Sequence, residues 1–129
     1  MRHNALRFLL TTSLAIVATS AAFAQALPDG VTEQAIAEGK TLFSGLGLCY
    51  ACHGQDGSGV PNLGSDLTDS EWSQSDGSFQ EILATIIEGV SSEKSSTGTV
   101  MPAKGGSSLN DDQLKAVAAY VWSLSNNKE

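Results

Sequence analysis

The chain has 129 residues, of which 41% are hydrophobic and only 6% aromatic. This length indicates one domain, with little apolar material for a core of its own. Fourteen acidic against seven basic residues give a formal charge of −7, which argues against nucleic acid or an anionic membrane as a partner because both repel it. Two cysteines and two histidines exclude a multi-disulfide scaffold, a four-thiolate zinc site and a three-histidine metal centre.

The first 24 residues have the features of a secretory signal peptide. Met1 to Arg7 carries two arginines and no acid, Phe8 to Ala22 is mostly apolar, and Ala22-Phe23-Ala24 is a small-x-small cleavage site. A membrane anchor is the alternative, but the apolar run is shorter than the ~20 residues that a span needs. Cleavage after Ala24 leaves residues 25–129, with five lysines against 14 acids and a formal charge of −9. We therefore expect an exported domain without a membrane span.

A first helix is predicted over Val31–Ser44, with Asp29 or Thr32 as its N-cap. Gly39 lies on its apolar face, where glycine costs ~1 kcal/mol relative to alanine. Close contact with another helix would explain this residue, because glycine has no side chain to hold two backbones apart. The alternative is a tolerated defect.

Two further helices are predicted towards the end of the chain. Phe79–Val90 has apolar residues at helical spacing, and Ser78 with Glu81 forms a capping box before them. A third helix runs from Asp111 to about residue 125, with Asn110 as its N-cap. The long segments 54–77 and 91–109 are rich in Gly and Ser and show no alternating strand pattern. The pattern predicts an all-α fold of three main helices and long loops.

Cys49-Tyr50-Ala51-Cys52-His53 forms a C-x-x-C-H motif, the pattern of c-type haem attachment. Each thiol can add across one vinyl group of haem, and the histidine that follows can bind the iron. A thioredoxin-like site is an alternative, but it needs a strand before the motif. A zinc site is another, but it needs a second Cys/His pair. A plain Cys49–Cys52 disulfide remains chemically possible in an oxidising compartment.

The second axial ligand follows by elimination, since the exported part has no histidine besides His53. Met101 is its only methionine, lies 48 residues further on and is followed by Pro102, which stiffens the backbone there. A His/Met pair is known to raise the reduction potential of haem. The alternatives are Met101 as core filler, Lys104 as the ligand, or an open sixth position.

The motifs together resemble those of class I bacterial cytochromes c, which carry one haem with histidine and methionine ligands. The resemblance covers nearly the whole exported part, in the family's order. The matching segments are G-x-x-x-F at Gly39–Phe43, C-x-x-C-H at Cys49–His53, G-x-P-x-L at Gly59–Leu63, Met101-Pro102, and an aromatic in the last helix at Tyr120.

The resemblance implies a fold wrapped round one covalently bound haem c (heme), whose iron is held by His53 and Met101. It implies that the Pro61 carbonyl accepts the Nδ1–H of the histidine and that Leu63 packs on the haem face. Trp72 would lie near the haem or a propionate, although an ordinary core position is the alternative. Tyr120 would be the neighbour of Gly39.

The resemblance further implies a periplasmic, monomeric electron carrier that exchanges one electron at a time with redox proteins and transforms no substrate. A haem subunit of a larger dehydrogenase or oxidase is one alternative, and a gas-binding or peroxidatic haem protein is another. The charge of −9 favours a basic partner. The other possibility is a mainly apolar contact that is nearly insensitive to salt, because Lys94 and Lys104 beside Met101 make the docking face less acidic than the rest of the surface.

Overall fold

The computed structural model describes residues 26–126, so the predicted signal peptide lies outside the described residues. The helices, in chain order, are α1 (Glu33–Phe43), α2 (Tyr50–His53), α3 (Phe79–Glu88), a 3-10 turn (Ala103–Gly106) and α4 (Asp111–Asn126). The β-structure in this part of the chain consists of two isolated bridges, Val60 with Gly64 and Val90 with Met101. The all-α prediction is confirmed. Between residues 26 and 126 no helix has the length and apolarity that a membrane crossing requires.

Side-chain caps define where three of the helices begin. The Thr32 hydroxyl accepts a 3.0 Å hydrogen bond from the N–H three residues on, which makes this residue the N-cap of α1. The Ser78 hydroxyl accepts a 3.4 Å bond from the Glu81 N–H before α3. Asn110 and Gln113 exchange two side-chain-to-backbone bonds of 3.0 Å before α4. These are the predicted caps, whereas α1 begins two residues later and α3 ends two residues earlier than predicted.

Helices α1 and α4 cross in close contact at Gly39. A Cβ added at this glycine would collide with the carbonyl oxygen of Ala116 and lie 2.8 Å from the Cβ of Tyr120. The rings of Phe43 and Tyr120 meet edge to face beside the crossing, with centroids 5.3 Å apart and planes at 71°. The predicted close approach is confirmed, and Tyr120 is the neighbour that was expected.

The core lies between these crossed helices and α3. Phe43, Leu114 and Val117 are its largest fully buried side chains. Helix α3 contributes Phe79, Ile82 and Ile86 from one face. The long loops before and after α3 lie outside this core. Together with the core side chains that face them, they form the walls of a cleft.

Candidate functional site

One cleft is lined by residues of α1 to α4 and of both long loops. The space between its walls is about 1210 Å³, including the part open to solvent. Its inner wall is apolar and consists of Phe43, Ile82, Ile86, Leu114, Val117 and Val121. The sequence-predicted site residues that line it are Cys49, Cys52, His53, Leu63, Trp72 and Met101. Pro61 does not line this cleft.

The two cysteines lie at the start of α2, a single helical turn that was not predicted. Cys49 is the residue before the helix and Cys52 lies three positions later, so both belong to one face. Both are half-buried free thiols. Burial raises the pKa of the Cys49 thiol to about 11, and its Sγ lies 3.4 Å from the carbonyl of Gly47. A thiol with a raised pKa is not poised as a nucleophile, which argues against a thioredoxin-like site.

His53 ends α2 with its ring held by one hydrogen bond. Its Nδ1 lies 2.8 Å from the carbonyl oxygen of Ser65. A carbonyl oxygen only accepts, so Nδ1 carries the proton and donates. When Nδ1 is the donor, Nε2 is the ring nitrogen left to bind a metal through its lone pair. Such a bond fixes both the tautomer and the orientation of a ligating histidine.

The expectation that Pro61 accepts this bond is wrong in the structure, because the acceptor is Ser65. A tight turn removes Pro61 from the histidine: the Val60 N–H donates to the carbonyl of Gly64 at 2.9 Å, and the Gly64 N–H donates back at 3.0 Å. Pro61 therefore lies exposed at the tip of this turn. Gly64 packs directly on the backbone of Cys52, which brings the following residue, Ser65, to the ring.

Met101 lies on the opposite loop and is half-buried in the cleft wall. Its backbone pairs with Val90, which directly follows the end of α3, through two hydrogen bonds of 2.8 and 2.9 Å. Pro102 continues the chain in an extended conformation, with φ −62° and ψ 152°. Lys104 also lines the cleft, half-buried and with a positive φ of 57°. The structure thus brings both candidate ligands of this loop to the same cleft.

Leu63 and Trp72 lie at different depths of the cleft. Leu63 is 38% exposed at its mouth. Trp72 is half-buried and packs against the core as well as lining the cleft. The position of Trp72 is therefore compatible with both roles considered for it, a core residue and a neighbour of the haem.

A row of hydroxyl side chains lines part of the cleft and joins its two long loops; we call it the hydroxyl seam, and it consists of Ser65, Ser96, Thr97 and Thr99. It was not predicted from the sequence. The hydroxyls of Ser65 and Ser96 are 3.1 Å apart. Thr97 donates to the carbonyl of Leu63 at 3.4 Å, and Thr99 donates to the carbonyl of Asn62 at 2.9 Å. Serine and threonine in a Gly/Ser-rich loop carry no periodic signal, so only the tertiary structure reveals this seam.

The cleft fits a haem better than it fits a bare metal ion. Within residues 26–126 no group of three or more His, Cys, Asp and Glu side chains could hold an ion alone. Haem needs a large apolar space, thiols for attachment and axial donors, and the cleft has these in its inner wall, in Cys49 and Cys52, and in His53 and Met101. The protonated Nδ1 of His53 leaves the correct nitrogen for iron.

Comparison with known proteins gives one family and several relatives. The family model described as "Cytochrome c" matches residues 36–125. A Cbb3-type cytochrome c oxidase subunit FixP from Rhizobium etli is 38% identical over 80 residues, 60% of this chain and 27% of that one. The CcoP subunit of the same oxidase type from Rubrivivax gelatinosus is 36% identical over 88 residues, 67% of this chain and 25% of that one. The chain thus spans about a quarter of the length of these relatives.

A solved structure has the same fold. Cytochrome CL from the marine methylotrophic bacterium Methylophaga aminisulfidivorans superposes with a TM-score of 0.54 and is 25% identical. The match covers 71% of this chain and 54% of that chain.

Proposed function

Because the chain belongs to the cytochrome c family, we propose that it is a carrier that accepts and donates one electron at a time through its covalent haem c. One observation carries the proposal: two thiols, a histidine with a protonated Nδ1 and a methionine all line a single apolar cleft. When bound, the haem supplies a ferric/ferrous couple.

Each side chain then has a defined part in the proposal. Cys49 and Cys52 would hold the haem through thioether bonds to its two vinyl groups. His53 would bind the iron through Nε2, while the Ser65 carbonyl accepts the hydrogen bond from Nδ1. Met101 would provide the second ligand through its sulfur. The apolar inner wall excludes water from the iron, which together with the His/Met pair favours a high reduction potential.

The proposed compartment is the periplasm. Residues 1–24 have the charge pattern and cleavage site of a signal peptide. The C-x-x-C-H motif calls for covalent attachment on the outer side of the bacterial inner membrane. We propose a monomer that is not itself an enzyme. Within residues 26–126 His53 is the one imidazole, and the proposal uses it as a ligand.

A second candidate function is that of a haem subunit in a larger oxidase. The relatives named as Cbb3-type oxidase subunits favour it. Purification from the native periplasm and membrane separates the two candidates. A free carrier elutes at the size of the single chain, whereas a subunit elutes with the oxidase even in detergent.

The partner is proposed to contact the mouth of the cleft. Leu48, Leu63 and Val100 line the cleft and remain 51%, 38% and 55% exposed. Exposed apolar side chains gathered at one place mark a contact surface. The formal charge of residues 25–129 is −9, so a basic partner is favoured at long range.

The axial ligand can be tested with three variants of the holoprotein. Met101→Ala should abolish the methionine charge-transfer band of the oxidised spectrum, lower the reduction potential and let carbon monoxide bind the ferrous form quickly. Lys104→Gln tests the alternative ligand, and Val100→Ala is the matched control beside the methionine in the cleft wall. A wild-type protein that is high-spin and binds carbon monoxide quickly would contradict the carrier and favour the gas-binding alternative.

A further inference from the structure

Gly89 ends α3 in a conformation that only glycine adopts readily. Its φ is 75° and its ψ is −175°, a region in which a Cβ clashes with the residue's own backbone. Its N–H donates a 2.8 Å hydrogen bond to the carbonyl of Thr85, which closes the last turn of the helix. The chain therefore leaves α3 in a fixed direction.

Leaving α3 in this direction, the chain pairs at once with the backbone of Met101. Val90 and Met101 exchange two backbone hydrogen bonds of 2.8 and 2.9 Å. A Cβ at Gly89 would collide with the carbonyl oxygen of Met101 and lie 2.7 Å from the nitrogen of Ala103 and 2.8 Å from the carbonyl carbon of Pro102. Glycine is thus required twice at this position, once for its φ and once for the approach of the methionine backbone.

The loop before Met101, residues 91–100, is bound to the rest of the cleft at the surface, by the hydroxyl seam and by the side-chain amide of Gln74, which donates to the carbonyl of Lys94. Helix α3, in contrast, has Ile82 and Ile86 buried in the core, at 3% and 8% exposure. The backbone of Met101 therefore takes its position from a buried helix, through Gly89 and Val90.

We propose that Gly89 is the positioning residue that sets the Met101 sulfur in the cleft, by letting the backbone of Met101 pack against the end of α3. This inference rests on the proposed function, in which Met101 binds the haem iron. Gly89 itself does not line the cleft and acts through the Val90–Met101 pair.

The test is Gly89→Ala in the holoprotein. Covalent haem and the His53 side should remain, because Gly89 does not contact that side. The methionine charge-transfer band should be lost or strongly reduced, and the carbon monoxide association rate of the ferrous form should rise about tenfold or more, since backbone strain of this kind shifts the ligand equilibrium by that factor. The reduction potential should fall towards that of Met101→Ala.

Two glycines of the chain provide matched controls. Gly98 has nearly the same φ, 73°, in the same loop, but a Cβ there meets nothing within 4 Å. Gly30 has a φ of 90°, and a Cβ there would lie 3.0 Å from the ring of Phe79, at the opposite end of α3 from Gly89. Gly98→Ala and Gly30→Ala should lower stability and keep the charge-transfer band. If Gly89→Ala keeps the band as these controls do, the positioning role is wrong.

The result separates this inference from the proposed function. A wild-type protein without the band, or a Met101→Ala variant that keeps it, contradicts methionine ligation itself. A band that Met101→Ala abolishes and Gly89→Ala preserves contradicts only the role of Gly89.

A measurement on the unaltered holoprotein applies if Gly89→Ala fails to fold. Excess imidazole displaces methionine from haem iron, and amide hydrogen exchange then shows which backbone bonds open. The amides of Val90 and Met101 should keep their protection together with the Ile86 amide inside α3, because the end of α3 and not the iron holds this backbone. Loss of protection at Val90 and Met101 alone after displacement would contradict the proposal.

Discussion

The hydroxyl of Thr99 donates a 2.9 Å hydrogen bond to the carbonyl oxygen of Asn62, 37 residues earlier in the chain. This bond joins the loop that presents the Ser65 carbonyl to His53 with the loop that carries Met101. The two sides of the cleft are therefore connected directly as well as through the core.

Removing that hydroxyl should loosen the connection. Thr99→Val keeps the shape of the side chain but leaves the Asn62 carbonyl without this donor, which should cost about 1 kcal/mol of unfolding free energy. Urea unfolding of the holoprotein measures the loss. Thr41→Val is the control, because its hydroxyl bonds only within α1, to Ala37. Equal losses in both variants would show that the bond between the loops contributes nothing of its own.

The crossing of α1 and α4 predicts the sign of a helix substitution. In an exposed helix Gly→Ala stabilises by ~1 kcal/mol. At Gly39 the new Cβ would collide with the Ala116 carbonyl, and overpacking of this kind costs ~1–3 kcal/mol, so a net destabilisation is expected. Thermal unfolding of Gly39→Ala checks it, with Ala37→Gly on the exposed face as the measure of propensity alone. A gain in stability would place the helices further apart than the structure has them.

Haem should be required for the fold. The chain has few aromatic residues and long loops, and a ligand that binds only the native state stabilises it. The Cys49→Ala/Cys52→Ala double variant, made without haem, should have much less helix than the holoprotein by circular dichroism. Native helix content in this variant would mean that α1, α3 and α4 pack without the cofactor.

Acid should destabilise the loop after His53. Asp56 accepts hydrogen bonds from the hydroxyl and the N–H of Ser58, at 2.7 and 3.2 Å, and these lower its pKa below the ordinary 3.8. The folded carboxylate therefore binds a proton less tightly than the unfolded one. This contribution to stability is present above about pH 4 and is lost as the pH falls through the lower folded pKa.

The thermal unfolding midpoint, measured from pH 6 downwards, should decrease less steeply on the acid side in Ser58→Ala than in the wild type. Ser108→Ala, an exposed serine of the other long loop, should follow the wild-type curve. Parallel acid limbs for Ser58→Ala and the wild type would contradict a role for this carboxylate. The effect is small, because Asp56 is exposed to solvent.

The salt dependence of the electron-transfer rate should show whether the electrostatic field at the cleft is negative or positive. With a formal charge of −9 after export, a cationic one-electron oxidant should react more slowly as salt rises, and an anionic one faster, because exposed charges are screened within ~10 Å at 0.1 M. Stopped-flow rates with the two reagents over a range of ionic strength measure this. The opposite salt dependence would show that Lys104 in the cleft wall, with Lys94 earlier in the same loop, outweighs the acidic residues of the surface.

Much of the fold could be predicted because its signals are local. The caps at Thr32, Ser78 and Asn110 and the apolar stripes of the three long helices depend on residues within a few positions of each other. The thiols, His53 and Met101, which line one cleft in the structure, could be proposed as haem-binding residues because the exported part of the chain has few other donors of their kind. The four-residue helix α2 was missed because a single turn shows no periodicity.

The errors concern contacts between distant loops. The hydrogen-bond acceptor of His53 was assigned to Pro61, but the turn from Val60 to Gly64 moves that residue to the surface and presents Ser65 instead. No local pattern distinguishes one backbone carbonyl from another four residues away. The hydroxyl seam was missed for the same reason, since it joins residues more than 30 positions apart.

The contact between Phe43 and Tyr120 joins residues 77 positions apart, near the two ends of the described chain. Helix α4 is thus synthesised well after α1, and until then the apolar face of α1 lacks the partner that covers it in the fold. Contacts of such long sequence separation slow folding, because the whole intervening chain must be closed into a loop first. Cys49, Cys52 and His53, in contrast, lie within five consecutive residues. They are accessible in the unfolded polypeptide, so their chemistry can be completed before the two helices meet.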